Sequence, residues 1–427
     1  MAGSGVTSCP GMKGCRELGQ FRPVTTGQTP GAFPRNRGDP HIGMVTAQDS
    51  HDVRVWSGTT YHMAQALARQ VGEVSNLGPV EWRGLRAVHR ILRVQQAVTG
   101  WRFQPALSPL AVRGNAARIA RRQRVARADI LFAPAGGALI PGLRHGVPVA
   151  YSSDATARLL HGYYDSHPYA GRGFARANAL EGRAIRRADL LIYPSEWAAQ
   201  SAITHYGADP VKVHVVPYGA NLARVPSRAA ALRARGGDLR LLFVGADWHR
   251  KGGDVVVATL AALRARGIAA QLDVVGCAPP EGVLLSGVPL SCLHVHPFLD
   301  KSDPAQARQL EALYLNADIL VQPSRAECYG IVFAEAAAHG VPSFASRTGG
   351  ISGAMTDGKS GFLLPRDADG PAYAGRIAAL LAEPGGLSVM RRSARDEYEA
   401  RFNWDHWAAR VVTIFRHHLE KEGDASP

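Results

Sequence analysis

Two glutamates, Glu327 and Glu335, stand eight residues apart in "PSRAECYGIVFAEAAAHGVP", a stretch of mostly small residues from Pro323 to Pro342. On an ideal helix that separation is roughly 12 Å along the axis and about 80° around it, too far for two carboxyls to share a proton. Acids so placed can instead hold opposite ends of one extended polar ligand. Asp318 to Gln322 reads as the end of a strand, so Glu327 falls in the loop at its carboxyl edge and a helix begins near Tyr329. The free N–H groups of Cys328, Tyr329, Gly330 and Ile331 at that opening suit a diphosphate. Glu335, two turns along, can accept hydrogen bonds from two ribose hydroxyls, and Glu327 can reach sugar hydroxyls beyond the diphosphate. The plainer alternative is a solvated glutamate near a helix start, which the helix dipole favours.

"FVGADWHRKGGD" offers a second cluster. A strand ends at Val244, Gly245 opens a loop, and Arg250 and Lys251 precede a glycine pair and a helix. Glycine lets backbone approach a ligand, and the cations and helix N-terminus both favour phosphate. Neither the GxxxxGK[ST] order nor GxGxxG is present, so the loop is not one of the common nucleotide fingerprints. Taken alone, the motif is weak, and a surface loop with two cations is the commoner explanation.

These residues need a scaffold that brings two loops together. "HIGMVTA", "VGEVSNLGP", "ADILFAP", "GVPVAYSS", "ADLLIYPS" and "VHVVPYG" are apolar runs of strand length, separated by helix-like sequence. After a polar connector near Val225 to Gly237 the alternation resumes with "LRLLFVGA", "AQLDVVG", "CLHVHPF", "ADILVQPS" and "VPSFASR". Such alternation means parallel βαβ units. The expected fold is therefore α/β, two Rossmann-like doubly wound domains facing a central cleft, over residues 41–225 and 238–400. Residues 401–427 should form an amphipathic aromatic helix and tail that packs back across the domain junction. Residues 1–40 read as a disordered tail without the apolar middle of a signal peptide. No apolar run approaches the roughly 20 residues that span a bilayer.

The 427-residue chain carries a formal charge of +14 and five cysteines with no metal-ligand or disulfide-framework spacing, which fits reduced thiols in a cytoplasm. The charge is uneven: Trp82 to Arg127 holds eleven arginines and no acid. Within it Arg83, Arg86, Arg90 and Arg93 share one helical face, opposite Leu85, Val88, Ile91 and Leu92. Such a face is either solvated or drawn to an anionic surface, a membrane or a phosphorylated acceptor, with nucleic acid ranked last.

Together, "GADWHRKGGD", "PSRAECYGIVFAEAAAHGVP", "TGG" and "DGKSGFLL" resemble the GT-B retaining glycosyltransferases of the large family four, the sucrose-synthase and mannosyltransferase type. The likeness is dense from about Leu239 to Pro365 and looser from about His41 to Asn221. It implies that Lys251 holds the donor diphosphate with Arg250 as helper, that Glu335 binds the ribose, and that Glu327 contacts the transferred sugar. Gly330 and its neighbours would lie under the diphosphate. Many members carry arginine directly after the glycine equivalent to Gly245, where this chain has Ala246. "WSGTTYHM" is similar to the family loop lining the cleft, so Ser57 and Gly58 would approach the donor phosphates. Asp154 in "AYSSDATARLLHGYY" is the candidate to face the reacting sugar, against the alternative of a helix N-cap. Ser195 and Glu196 would cap the next helix, with Gly219 and Asn221 at the domain junction.

The resemblance implies transfer of a sugar, a hexose by family habit, from a nucleotide diphosphate-sugar to a sugar, lipid or other hydroxyl acceptor. It implies a C-terminal donor domain, an N-terminal acceptor domain, no cofactor and no bound metal; no DxD-like acid pair stands where it would bridge a metal to the phosphates. The expected location is cytoplasmic, at most peripheral on the inner membrane face. A nucleotide-sugar epimerase or hydrolase would need the same diphosphate and ribose contacts, and an anionic-lipid or nucleic-acid binding protein would leave the cleft motifs unexplained.

Overall fold

The computed structural model describes residues 38–80, 107–144, 146–164, 172–280 and 288–424. The basic segment with Arg83, Arg86, Arg90 and Arg93 and the tail before residue 38 lie outside the described residues. Six parallel strands form the first sheet: β1 (Ile42–Met44), β2 (Val74–Asn76), β3 (Ile130–Pro134), β4 (Val149–Ser152), β5 (Leu190–Tyr193) and β6 (Val213–Val215), in the order β2-β1-β3-β4-β5-β6. Six more form the second: β7 (Leu239–Val244), β8 (Ala270–Val275), β9 (Leu293–His296), β10 (Ile319–Gln322), β11 (Ser343–Ser346) and β12 (Gly361–Leu364), in the order β12-β11-β10-β7-β8-β9. Both are doubly wound, and each reverses its strand order once, between β1 and β3 in the first and between β10 and β7 in the second, where ligands of such folds sit.

A repeated Ala-Asp pair sets the register of three strands. Asp129, Asp189 and Asp318 each precede an inner strand. Each accepts the backbone N–H at the start of a neighbouring strand, from His41 at 2.7 Å, Val149 at 2.8 Å and Arg240 at 2.9 Å. In each case the aspartate N–H returns a bond to the carbonyl of the same residue at 2.8 Å. The paired bonds hold the strand starts level, so the strand ends, and the loops leaving them, also line up.

Among the described residues, helices of eight residues or more are α1 (Thr59–Val71), α2 (Pro109–Ala126), α3 (Arg172–Arg187), α4 (Glu196–Tyr206), α5 (Gly253–Ala265), α6 (Pro304–Asn316), α7 (Ile331–Ala338), α8 (Gly370–Ala382), α9 (Gly386–Ala400) and α10 (Trp404–Asp424). Among the described residues no helix is long and apolar enough to cross a membrane. Ser195 caps α4, its Oγ accepting the Ala198 N–H. The polar connector contains a one-turn helix, Arg228–Ala231, and β12 is a strand that the apolar runs did not single out.

Although α10 follows the second sheet in sequence, it packs on the first half. Trp407, Val411 and Phe415 are fully buried, with Trp407 against Phe132 of β3 at 5.9 Å between ring centroids. Burial of each such side chain contributes about 1.5–3 kcal/mol. Trp404 stacks on Tyr218 at 5.7 Å and its indole N–H donates to Asn221 Oδ1 at 3.0 Å. Gly219 makes this approach possible, because a Cβ there would lie 2.3 Å from the Trp404 backbone nitrogen. Gly219→Ala is therefore expected to cost about 1–3 kcal/mol, read as a lower urea midpoint; an unchanged midpoint would mean that α10 does not seat on this backbone.

Candidate active site

The second sheet reverses between β7 and β10, and the loops leaving those strands meet there. After β7, Gly245 lets the stem of Lys251 cross its backbone: a Cβ on Gly245 would lie 2.8 Å from Lys251 Cγ. Asp247 caps the one-turn helix Trp248–Lys251, its Oδ1 accepting the Arg250 N–H at 3.0 Å. Gly252 follows at φ +79°, where a Cβ would meet the Pro323 carbonyl at 2.2 Å. Its bare, left-handed backbone brings the two loops into contact. The Arg325 N–H donates to the Arg250 carbonyl at 2.8 Å, and the Arg325–Asp254 ion pair at 2.6 Å ties the loops again.

Lys251 and Glu327 meet as a result. They are 8% and 7% exposed, and Lys251 Nζ donates to Glu327 Oε2. The Arg250 guanidinium lies 3.8 Å from that oxygen and donates to the Ala326 carbonyl at 3.1 Å. Glu327 itself precedes the helix. Gly330, at φ +87°, is the N-cap and α7 starts at Ile331, two residues later than the sequence suggested. The ideal-helix separation of the two acids therefore does not apply, because the chain turns at Gly330 between them.

Glu335 sits on the second turn of α7 and is 2% exposed. One carboxylate oxygen takes the Lys301 ammonium, and the other accepts the Tyr314 hydroxyl at 3.2 Å. Lys301 also donates to the Asn221 carbonyl at 3.3 Å, and the Asn221 side chain bonds Ser57 O at 2.8 Å and Thr59 Oγ1 at 3.0 Å. Lys301 and Tyr314 escaped the sequence reading. The position of Lys301, in "FLDKSD" a few residues past a strand end, puts a cation at the carboxyl edge of the sheet but does not name its partner. Tyr314 gave no signal, since an aromatic on a helix reads as core.

Across the crevice lies the carboxyl end of the first sheet. Asp154 follows β4, and burial, reinforced by the nearby charge of Glu327, pushes its carboxyl up to about 6; a hydrogen bond from Trp56 works the other way. The capping alternative for Asp154 does not hold, because Thr156 caps the next helical turn, Ala157–Leu160. Trp56 and Ser57 reach over the crevice with left-handed φ of 48° and 55°. Such backbone in residues with side chains is uncommon and is held by its surroundings, here by the Asn221 bond to Ser57.

These groups surround one cavity of about 560 Å³. Asp154, Gly245, Arg250, Lys251, Glu327 and Glu335 line it, as do Ser57, Tyr329, Gly330 and Ile331. Two residues named from sequence stand back from it. Gly58 is buried as the N-cap of α1, and the Cys328 N–H donates to the Tyr164 hydroxyl at 3.1 Å. The helix opening therefore offers N–H groups from Tyr329 onward. The cavity presents cations and a helix N-terminus at one point and, at another, the Glu335 carboxylate held by the Lys301 ammonium and the Tyr314 hydroxyl.

Two Rossmann-like sheets whose carboxyl ends face such a cleft define the GT-B architecture. A family model described as Glycosyltransferase Family 4 matches residues 58–224, and one described as Glycosyl transferases group 1 matches residues 238–383. A D-inositol 3-phosphate glycosyltransferase of Salinispora arenicola is 31% identical over 293 residues, 64% of each chain. The chain thus spans less than two-thirds of that relative's length. Two solved structures share the fold. They are sucrose-phosphate synthase of Thermosynechococcus elongatus, with a TM-score of 0.62 and 17% identity over 90% of this chain and 100% of that one, and Anabaena HepE in complex with UDP, with 0.58 and 18% over 88% and 99%. The chain belongs to the family-four glycosyltransferases, with a GT-B fold.

Proposed function

We propose that the protein transfers a sugar, a hexose in the simplest case, from a nucleotide diphosphate-sugar to a hydroxyl acceptor with retention at the anomeric carbon. The observation that carries this is the joint placement of Lys251, Arg250, the opening of α7 and Glu335 around one cavity at the strand-order reversal. In this reading Glu335 accepts ribose hydroxyls, and Lys251 and Arg250 leave Glu327 to hold the diphosphate. Charge grows on the departing phosphate, and groups already in place stabilise it without reorganising. Glu327, freed from Lys251, accepts hydroxyls of the transferred sugar. The departing phosphate takes the acceptor's proton, so the reaction needs no separate base, and Asp154 faces the sugar from the other sheet. A phosphorylated polyol, of the kind the Salinispora relative is named for, is the first acceptor to try.

Melting the protein with millimolar UDP, GDP and ADP tests the donor half of this reading. A ligand at a hundred times its Kd adds about 2.7 kcal/mol, so one of the three should raise the Tm by several degrees. The matching nucleotide sugars are then incubated with and without acceptor, and the anomer is read by NMR. No stabilisation by any nucleoside diphosphate, together with no transfer, would overturn the proposal.

A further inference from the structure

Tyr163 and Tyr164 belong to the first half of the chain, in "HGYY" after β4, yet both hydroxyls end on the loop that carries Glu327, across 164 residues of sequence. The Tyr163 hydroxyl accepts the Glu327 N–H at 2.9 Å. It donates to the Glu327 carbonyl at 3.3 Å and also hydrogen-bonds Thr348 Oγ1 at 3.2 Å. The Tyr164 hydroxyl accepts the next N–H, that of Cys328, and the Tyr164 ring lies under the Arg250 guanidinium with 4.8 Å between its carbon and the ring centroid. The two rings stack at 5.5 Å, and Tyr163 packs on Trp197 at 5.2 Å.

The opposite side of the loop is cleared for this contact. A Cβ on Gly349 would fall 2.0 Å from the Glu327 carbonyl and 2.3 Å from the Tyr163 hydroxyl, and one on Gly350 would fall 2.0 Å from the Cys328 carbonyl. Two hydroxyls, one ring and a glycine pair thus converge on the backbone of two residues and on the guanidinium next to them. The groups so held are the ones asked to carry charge, Glu327 and Arg250. A displacement of about 1 Å in such groups is enough to cost a large factor in rate.

We propose that Tyr163 and Tyr164 are positioning residues, supplied by the first half of the chain, that set Glu327 and Arg250 of the second half for donor turnover. The catalytic consequence rests on the function proposed above; the structural part does not. Tyr164 lines the cavity beside Arg250, whereas Tyr163 stands back from it, so binding of nucleoside diphosphate should be independent of the Tyr163 hydroxyl.

The test uses the full chain with Tyr163→Phe, Tyr164→Phe and the double variant, which keep the rings. Backbone hydrogen exchange is followed by mass spectrometry on peptides spanning residues 323–332. Each lost hydrogen bond should speed exchange of its own amide about tenfold, Glu327 for the first variant and Cys328 for the second. With the donor in hand, kcat should fall about tenfold or more in the double variant, while in Tyr163→Phe stabilisation by UDP or the nucleoside diphosphate that replaces it stays as in the parent. Unchanged amide exchange in the double variant overturns the proposal, as does faster exchange with unchanged kcat. If no nucleoside diphosphate stabilises the parent, the function proposed above fails instead, and the exchange experiment still decides whether the tyrosines hold the loop.

Discussion

Lys251→Ala is expected to lower kcat for donor turnover by about 10²–10³-fold, the usual loss when one preorganised group facing developing charge is removed. Lys251 is fixed by the Gly245 crossing and by Gly252, so its ammonium does not need to be ordered as charge grows. Glu335→Ala should fail differently. It deletes hydrogen bonds to an ionised group that are present in ground and transition state alike, each worth about 1.5–3 kcal/mol. Its main signature is a donor KM raised by about 10²-fold or more. Stability separates these effects from misfolding. Lys251→Ala leaves Glu327 buried with Arg250 3.8 Å away as its remaining cation, so part of the charge compensation survives. Glu335→Ala leaves Lys301 with the Asn221 carbonyl. Melting curves of both purified variants should remain cooperative, and retained turnover in both would remove the basis for the site.

Glu181→Gln is expected to stabilise the protein at pH 8 and to change nothing near pH 4.5. Glu181, on α3, is 9% exposed and accepts a neutral donor, the Tyr151 hydroxyl, at 2.8 Å. Burial pushes the carboxyl from 4.5 up to about 7, and the Tyr151 bond only partly opposes it. Between those two values the folded state holds a proton that the unfolded chain has released. Unfolding stability therefore falls as pH rises from about 4.5 to about 7, and above that the full penalty remains, about 3 kcal/mol for a shift of this size. Glutamine keeps an acceptor for Tyr151 without a charge to bury. Urea titrations at several pH values should show the two proteins level near pH 4.5 and the variant ahead by up to about 3 kcal/mol at pH 8. Parallel pH profiles for parent and variant would show that Glu181 is not held neutral.

Some of this was legible before any coordinates. The short apolar runs in "ADILFAP", "ADLLIYPS" and "ADILVQPS" mark β3, β5 and β10, while the role of Asp129, Asp189 and Asp318 in levelling the strand starts emerged only from the structure. The loop glycines, the cations after Gly245 and the acids after β10 were readable for a related reason: a strand end, a glycine and a helix opening are neighbours in sequence. The same local logic misplaced the start of α7, where the left-handed Gly330 postpones the helix past Tyr329. It also passed over β12, a four-residue edge strand entered through Gly361 at φ +142° and paired on one side only.

Contacts between distant segments left no such trace. Lys301 on Glu335, Tyr163 and Tyr164 on the Glu327 loop, and α10 on the first sheet each join residues from tens to hundreds of positions apart. Periodicity and residue type report what a segment does with its own neighbours. They state that Glu327, Glu335 and Lys251 are the kinds of group that grip a charged, hydroxylated ligand. Which lysine faces which acid, and which tyrosines hold the loop, follows from the packing of two sheets whose loops meet only after the chain has folded.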